Sequence, residues 1–181
     1  AGGYTQMLPK EERTLVYTKK ELEEQIITLL SGRASEQYYL KEISTGASDD
    51  LKRATKIARS MVTEYGMSSL GPMQFEHRSE SVFLGRDYNQ TKNFSDQVAL
   101  LIDQEVKKII DDCYEKAQKI VSKEKKLVEI LANRLIANET LTKEEIEDLV
   151  EANSNYKVKD DEEVKKEKDT EKKEKKDEIK K

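Results

Sequence analysis

At 181 residues the chain is long enough for one domain with a buried core and a tail, and 35% apolar against 39% charged residues places a polar segment outside that core. Residues 153–181 are that segment, with eleven lysines and ten acidic residues, so positions 1–152 hold 22 basic and 27 acidic groups and a net charge of −5, which implies no basic face for nucleic acid. The near-balanced tail excludes a polybasic membrane anchor, no apolar run approaches a membrane span, and the single cysteine excludes an internal disulfide.

In chain order, Tyr4-Thr5-Gln6-Met7 reads as a short strand that leads through Leu8-Pro9 into a loop. Thr18-Lys19-Lys20-Glu21 is a capping box, and Leu22, Ile26, Leu29 and Leu30 follow on one helical face. That helix is expected to continue through Ser31-Gly32-Arg33 toward Tyr39, the internal glycine letting another backbone approach at a cost of roughly 1 kcal/mol against alanine. Thr45-Gly46-Ala47-Ser48-Asp49-Asp50-Leu51 reads as a tight turn, reversed at Gly46 and N-capped by Ser48, that places two carboxylates on the first turn of the next helix. Leu51, Ala54, Ala58, Met61, Val62 and Tyr65 form its stripe, and Gly66 stands where a C-terminal cap belongs.

An irregular stretch runs from Gly66 to Asn93, with Gly71-Pro72, Val82-Phe83-Leu84 and Gly85, longer than an idle connection. Ser95 then caps a long helix striped by Val98, Leu101, Ile102, Val106, Ile109, Ile110, Cys113, Ala117 and Ile120. A helix from about Lys123 to Ala137 and a short one opened by the capping box Thr142-Lys143-Glu144-Glu145 complete the body. The predicted fold is mainly α, a helical bundle over 1–152 with a short N-terminal strand and a disordered Lys/Glu-rich tail over 153–181.

The chemistry of the residues is sparse. No Gly-rich phosphate loop of the Walker or dinucleotide type occurs, and no nucleophile elbow or Cys–His pair stands out. Cys113 falls on the apolar face of the long helix, as a small core residue rather than a nucleophile. The one histidine, His77, lies among charged residues in the irregular stretch and reads as a surface residue. Asp49 and Asp50 complement the positive end of a helix dipole, which explains acids at a helix start. Alternatively, one of these carboxylates is a metal ligand at the mouth of a site, and the local pattern leaves both readings open.

Several segments in order carry a family resemblance. Gly3-Tyr4-Thr5, Tyr17-Thr18-Lys19-Lys20-Glu21-Leu22, Gly32-Arg33-Ala34-Ser35-Glu36, Thr45 to Leu51, Met61 to Met67, Leu70-Gly71-Pro72, Val82 to Asp87 and Ile102 to Val106 closely resemble the peptidase domain of the FtsH family, over about residues 2–151. The resemblance implies a membrane-anchored, ATP-dependent zinc metalloendopeptidase that forms a homohexamer, with an AAA module binding ATP and Mg2+ ahead of the peptidase. Its expected setting is the cytoplasmic face of a bacterial membrane or an organelle membrane, with unfolded or membrane proteins as substrates and no nucleic acid partner.

The resemblance also assigns residues. Family members draw two zinc-binding histidines and a general-base glutamate from an HExxH helix ahead of the Gly-Tyr-Thr segment, and no such motif occurs in these 181 residues. The third zinc ligand, the aspartate of Thr-Gly-Ala-x-x-Asp, falls on Asp50; Asp49 stands where the family often has asparagine. Glu36, in Gly-Arg-Ala-x-Glu, corresponds to a carboxylate that could orient a zinc-bound histidine, or is an ordinary helix-surface acid. Gln37 replaces a second glutamate common in the family, and Ser31 the first glycine of Gly-Gly-Arg. The Gly3-Tyr4-Thr5 region is expected near an edge strand that pairs with substrate. With one ligand of three and no general base, and a start at Ala-Gly-Gly-Tyr without methionine, the chain is expected to be part of a longer protein and inactive by itself. A non-catalytic helical oligomerisation or adaptor module is the alternative function.

Overall fold

Thr18 opens the first helix with a reciprocal cap: its hydroxyl accepts the Glu21 N–H at 3.2 Å, and the Glu21 carboxylate accepts the Thr18 N–H at 2.7 Å, as the spacing predicts. The computed structural model describes residues 16–76 and 94–155. The expected strand at Tyr4–Met7, His77, the Val82-Phe83-Leu84 run and nearly all of the charged tail lie outside the described residues. Described elements are the helices α1 (Lys19–Ser35), α2 (Ser48–Thr63), α3 (Asp96–Lys123), α4 (Lys125–Asn138) and α5 (Lys143–Asn153), with a π-helical turn, Glu36–Leu40, continuing α1. All are helical, in agreement with the predicted mainly-α class.

The chain divides into two compact units between Val121 and Ser122, within the last turn of α3. In the first, Leu22, Ile26, Leu29, Leu30 and Ala34 of α1 share one core with Ala54, Ala58, Met61 and Val62 of α2 and Ile102, Val106, Cys113, Ala117 and Val121 of α3. Three apolar stripes at helical spacing thus meet in one interior, which is how amphipathic helices gain most of their stability. Ala54 and Ala58 are fully buried, and such small side chains let neighbouring helices pack closely. The α1 and α3 surfaces are also joined by polar contacts: Lys116 Nζ donates to Glu23 at 2.9 Å, and Tyr114 Oη to Gln37 at 2.6 Å.

The structure corrects several details. Tyr65, expected in the α2 stripe, is 51% exposed because the helix ends at Thr63, and Leu101 and Ile120 of the α3 stripe are also exposed. Val121, one residue beyond the predicted stripe, takes the last core position of α3 instead. Gly32 is exposed, and a Cβ there would meet nothing within 4 Å, so the expected close backbone approach is not made among the described residues.

The C-terminus of α2 is closed by the segment that follows it. The Ser60 carbonyl accepts from the N–H groups of Glu64 and Tyr65, the Met61 carbonyl from Met67 at 2.8 Å, and the Thr63 carbonyl from Phe75 at 2.8 Å. Gly66 makes this return possible in two ways. Its φ is +61°, and a Cβ would lie 2.9 Å from Pro72 Cα, so a side chain would be both strained and obstructed. Arg59 adds ion pairs to Glu76 at 2.7 Å and Asp103 at 3.4 Å. Phe75 packs edge-on against Phe94, ring centroids 6.3 Å apart, so the chain is held together on both sides of residues 77–93.

The second unit is a helical pair, α4 and α5. Leu127 is its one buried apolar residue among those described, whereas Leu135, Ile136 and Ile146 are exposed. Buried Glu124 accepts the Asn155 N–H at 3.0 and 3.1 Å, and Asn155 Nδ2 donates to the Lys123 carbonyl at 2.9 Å. The Thr142 capping box forms as predicted.

Candidate functional site

Asp50 sits on the first turn of α2, half-buried, with Asp49 exposed beside it. That placement agrees with the sequence, but the cap does not. The N-cap position is Ala47, with φ −84°, ψ 10° and no side-chain hydrogen bond; Ser48 is already helical. Ser48 spends its N–H on the Thr45 carbonyl at 3.1 Å, closing a turn that runs straight into the helix, and the Leu51 N–H reaches the Ala47 carbonyl at 2.9 Å. Ala47 is buried and anchors the turn. The carboxylate of Asp50 makes no hydrogen bond or ion pair with another described residue, so its oxygens are available while the helix N-terminus stabilises negative charge there.

The loop before Asp50 is organised by Glu36, which leads the π-helical turn. Ser44 Oγ donates to Glu36 Oε1 in a short hydrogen bond, and the Ser44 N–H donates to Oε2 at 3.4 Å. The same Ser44 oxygen accepts the Gly46 N–H at 3.1 Å. Arg33 lies one helical turn away, its Nη1 3.8 Å from Glu36 Oε2, too long for a hydrogen bond. Among the described residues that nitrogen is buried without a hydrogen-bond partner, and the Arg33 side chain is only 15% exposed. The Ser44 hydroxyl holds the Glu36 carboxyl below the usual glutamate range, aided by the Ser44 N–H and Arg33 and opposed by burial.

Gly46 therefore has a different role from the one predicted. Positive φ among glycines of the described residues occurs at Gly66 and Gly71, not at Gly46. The turn needs no left-handed residue at 46. Instead, a Cβ there would stand 3.2 Å from Ser44 Oγ and 3.8 Å from Glu36 Oε1, so the glycine leaves room for that hydrogen-bonded pair. Lys41 carries the left-handed conformation instead, φ 59°, with its Nζ bonded to the Tyr38 carbonyl at 2.6 Å and 5.1 Å from the Tyr38 ring centre. Sequence reasoning missed Ser44. The available signal was a serine two residues before a glycine, the spacing of a side-chain-mimicked turn.

The donor set decides how much of a metal site this is. No group of three or more His, Cys, Asp or Glu side chains among the described residues could hold a metal ion. Cys113 is buried on α3, its Sγ 3.9 Å from the Glu23 carbonyl. Burial, then the Glu23 carboxylate, push the thiol up to about 11, which leaves it a protonated core group rather than a thiolate ligand. Asp50 is a carboxylate, one of the side-chain types that bind zinc, and no set of three such ligands occurs among the described residues.

Comparison with known proteins identifies the family. A family model described as Peptidase family M41 matches residues 1–149. The chain is 54% identical over 149 residues to an "ATP-dependent zinc metalloprotease FtsH" of Acholeplasma laidlawii (strain PG-8A), covering 82% of this chain and 23% of that protein. It is 49% identical over 153 residues to a protein of the same name from Bacillus subtilis (strain 168), covering 83% and 24%. A third, from Mycoplasma mobile, is 47% identical over 149 residues, covering 81% and 21%. The chain spans about a quarter of the length of these curated relatives.

Proposed function

The chain belongs to peptidase family M41, and on that premise we propose that it is the C-terminal part of the peptidase domain of an ATP-dependent zinc metalloendopeptidase, with Asp50 as one zinc ligand. The observation that carries the reading is Asp50 itself. It is a half-buried carboxylate without a partner among the described residues, at a helix start, in a segment within the family match. Zinc, when bound, supplies a Lewis acid that lowers the pKa of water and stabilises developing negative charge on a peptide carbonyl. Asp50 donates an oxygen and one negative charge. The first turn of α2 carries that oxygen, and the Glu36–Ser44 pair holds the loop that leads to it. The remaining ligands and the general base come from outside these residues, because the chain holds a single histidine and no HExxH.

The substrates are unfolded or membrane proteins, and the intact protein works as a homohexamer on the cytoplasmic face of a bacterial membrane or at an organelle membrane, fed by an ATP- and Mg2+-binding AAA module. These assignments rest on the family resemblance. No described helix is long and apolar enough to cross a membrane. A catalytic role is favoured over an adaptor role by the family match, which runs through the loop and helix start that carry Asp50. The deciding experiment is Asp50→Ala in the intact protein. Proteolysis of an unfolded casein-type substrate and the bound zinc are both lost while ATP hydrolysis continues; retained proteolysis and zinc would move the ligand elsewhere.

A further inference from the structure

Helix α2 starts differently from α1, α3 and α5. α1 and α5 open with full capping boxes, and Ser95 Oγ accepts the Val98 N–H at the start of α3. At the start of α2 the N-cap residue is an alanine with no side-chain hydrogen bond. The helix that carries the candidate ligand therefore shares with α4 the absence of the side-chain cap found at α1, α3 and α5. Something else must hold the entry of its chain.

That role falls to Ser44. One hydroxyl joins two elements: it donates to Glu36 Oε1 on the π-helical turn and accepts the Gly46 N–H at 3.1 Å. The Ser44 N–H adds a second bond to the same carboxylate at 3.4 Å. The space for this pair is kept by Gly46, where a Cβ would lie 3.2 Å from Ser44 Oγ. Two residues later the Ser48 N–H closes the turn on the Thr45 carbonyl, and Asp50 follows. The path from the end of α1 to Asp50 is thus tied by side-chain hydrogen bonds at 44 and then by backbone bonds.

We propose that Ser44 is a positioning residue for the metal ligand: by bridging Glu36 and the Gly46 amide it sets the course on which Asp50 leaves the first turn of α2. This rests on the reading of Asp50 as a zinc ligand. The hydroxyl touches no reacting group; it acts through the loop. Ser44 is exposed, so its removal opens no cavity and the fold is expected to survive.

The test uses the intact protein and measures zinc affinity by competition with a chromogenic chelator, with thermal unfolding and ATP hydrolysis alongside. Ser44→Ala is expected to weaken zinc binding by about 10–100-fold, the range for residues that support a ligand, with an unfolding midpoint within about 2 °C of the parent. Ser44→Thr keeps the hydroxyl and restores the affinity. Parental affinity in Ser44→Ala, beside an Asp50→Ala protein that has lost zinc, overturns the positioning role and leaves the ligand assignment standing. Equal loss in Ser44→Ala and Ser44→Thr also overturns it, since the hydroxyl would then not be the cause. A zinc loss that merely tracks a lowered unfolding midpoint does the same. Parental affinity in Asp50→Ala overturns both assignments.

Discussion

The two ends of α2 are built on opposite plans. At the C-terminus the carbonyls of Ser60, Met61 and Thr63 all find backbone donors in the segment that follows, and Gly66 is placed where no side chain would fit. At the N-terminus no side chain caps the helix, the preceding loop is held by a serine–glutamate pair, and the Asp50 carboxylate has no partner among the described residues. One end spends its polar groups on stability, and the other keeps one free. A helix end left open is weaker as structure but available as chemistry.

The contrast can be broken most directly by exchanging its ends. In the intact protein, Asp50→Ala is expected to lower proteolysis by more than about 100-fold, beyond the range for supporting residues. Its cost in unfolding free energy is only about 0.3–1 kcal/mol, the worth of one charge at a helix start. Gly66→Ala should do the reverse at the other end. The left-handed backbone and the 2.9 Å approach to Pro72 Cα predict a loss of about 1–3 kcal/mol in chemical denaturation. Comparable stability losses in the two variants would end the distinction.

Acid sharpens the picture on the open side. Glu36 is held below the ordinary carboxylate range mainly by the Ser44 hydroxyl, and Glu105 mainly by the Ser69 N–H. A carboxylate depressed in the folded state contributes stability that is fully present above its unfolded value near 4.5 and is lost as pH falls through the folded value. Urea midpoints should therefore decline on acidification below that value, and Glu36→Gln should flatten the decline. An unchanged slope in Glu36→Gln would mean that the Ser44 bridge adds nothing to folding. The smallest effect belongs to Gly32, exposed within α1 with open space where a Cβ would go. Gly32→Ala should raise stability by up to about 1 kcal/mol, read as a higher thermal midpoint. A loss instead would reveal a neighbour packed against that face from outside the described residues.

Much of the fold was legible because helix starts and stripes are local. Thr18 with Glu21 and Thr142 with Glu145 are pairs three residues apart, and each formed the capping box its spacing announces. Leu22, Ile26, Leu29 and Leu30 are all buried, as their period requires. The candidate ligand was legible differently. Helix-start chemistry alone left Asp50 undecided, and the ordered resemblance over most of the chain singled it out. Two errors at the α2 start came from residue preferences within a turn: Ser48 is already helical with its N–H on the Thr45 carbonyl, and Gly46 makes room for Ser44 and for Glu36, eight positions before Ser44.

By itself the sequence determined where the helices run, which faces they bury and which family the chain belongs to, because propensity, capping and period act within a few residues. Tertiary structure decided which stripe residues reach the core and what steers the loop toward Asp50. Tyr65 was left outside because α2 stops at Thr63, and Val121 was taken in because α3 extends far enough to meet the same interior. Glu36 meets Ser44 because the π-helical turn and left-handed Lys41 bend the chain back on itself. That meeting depends on the summed path of eight residues, which no local preference specifies.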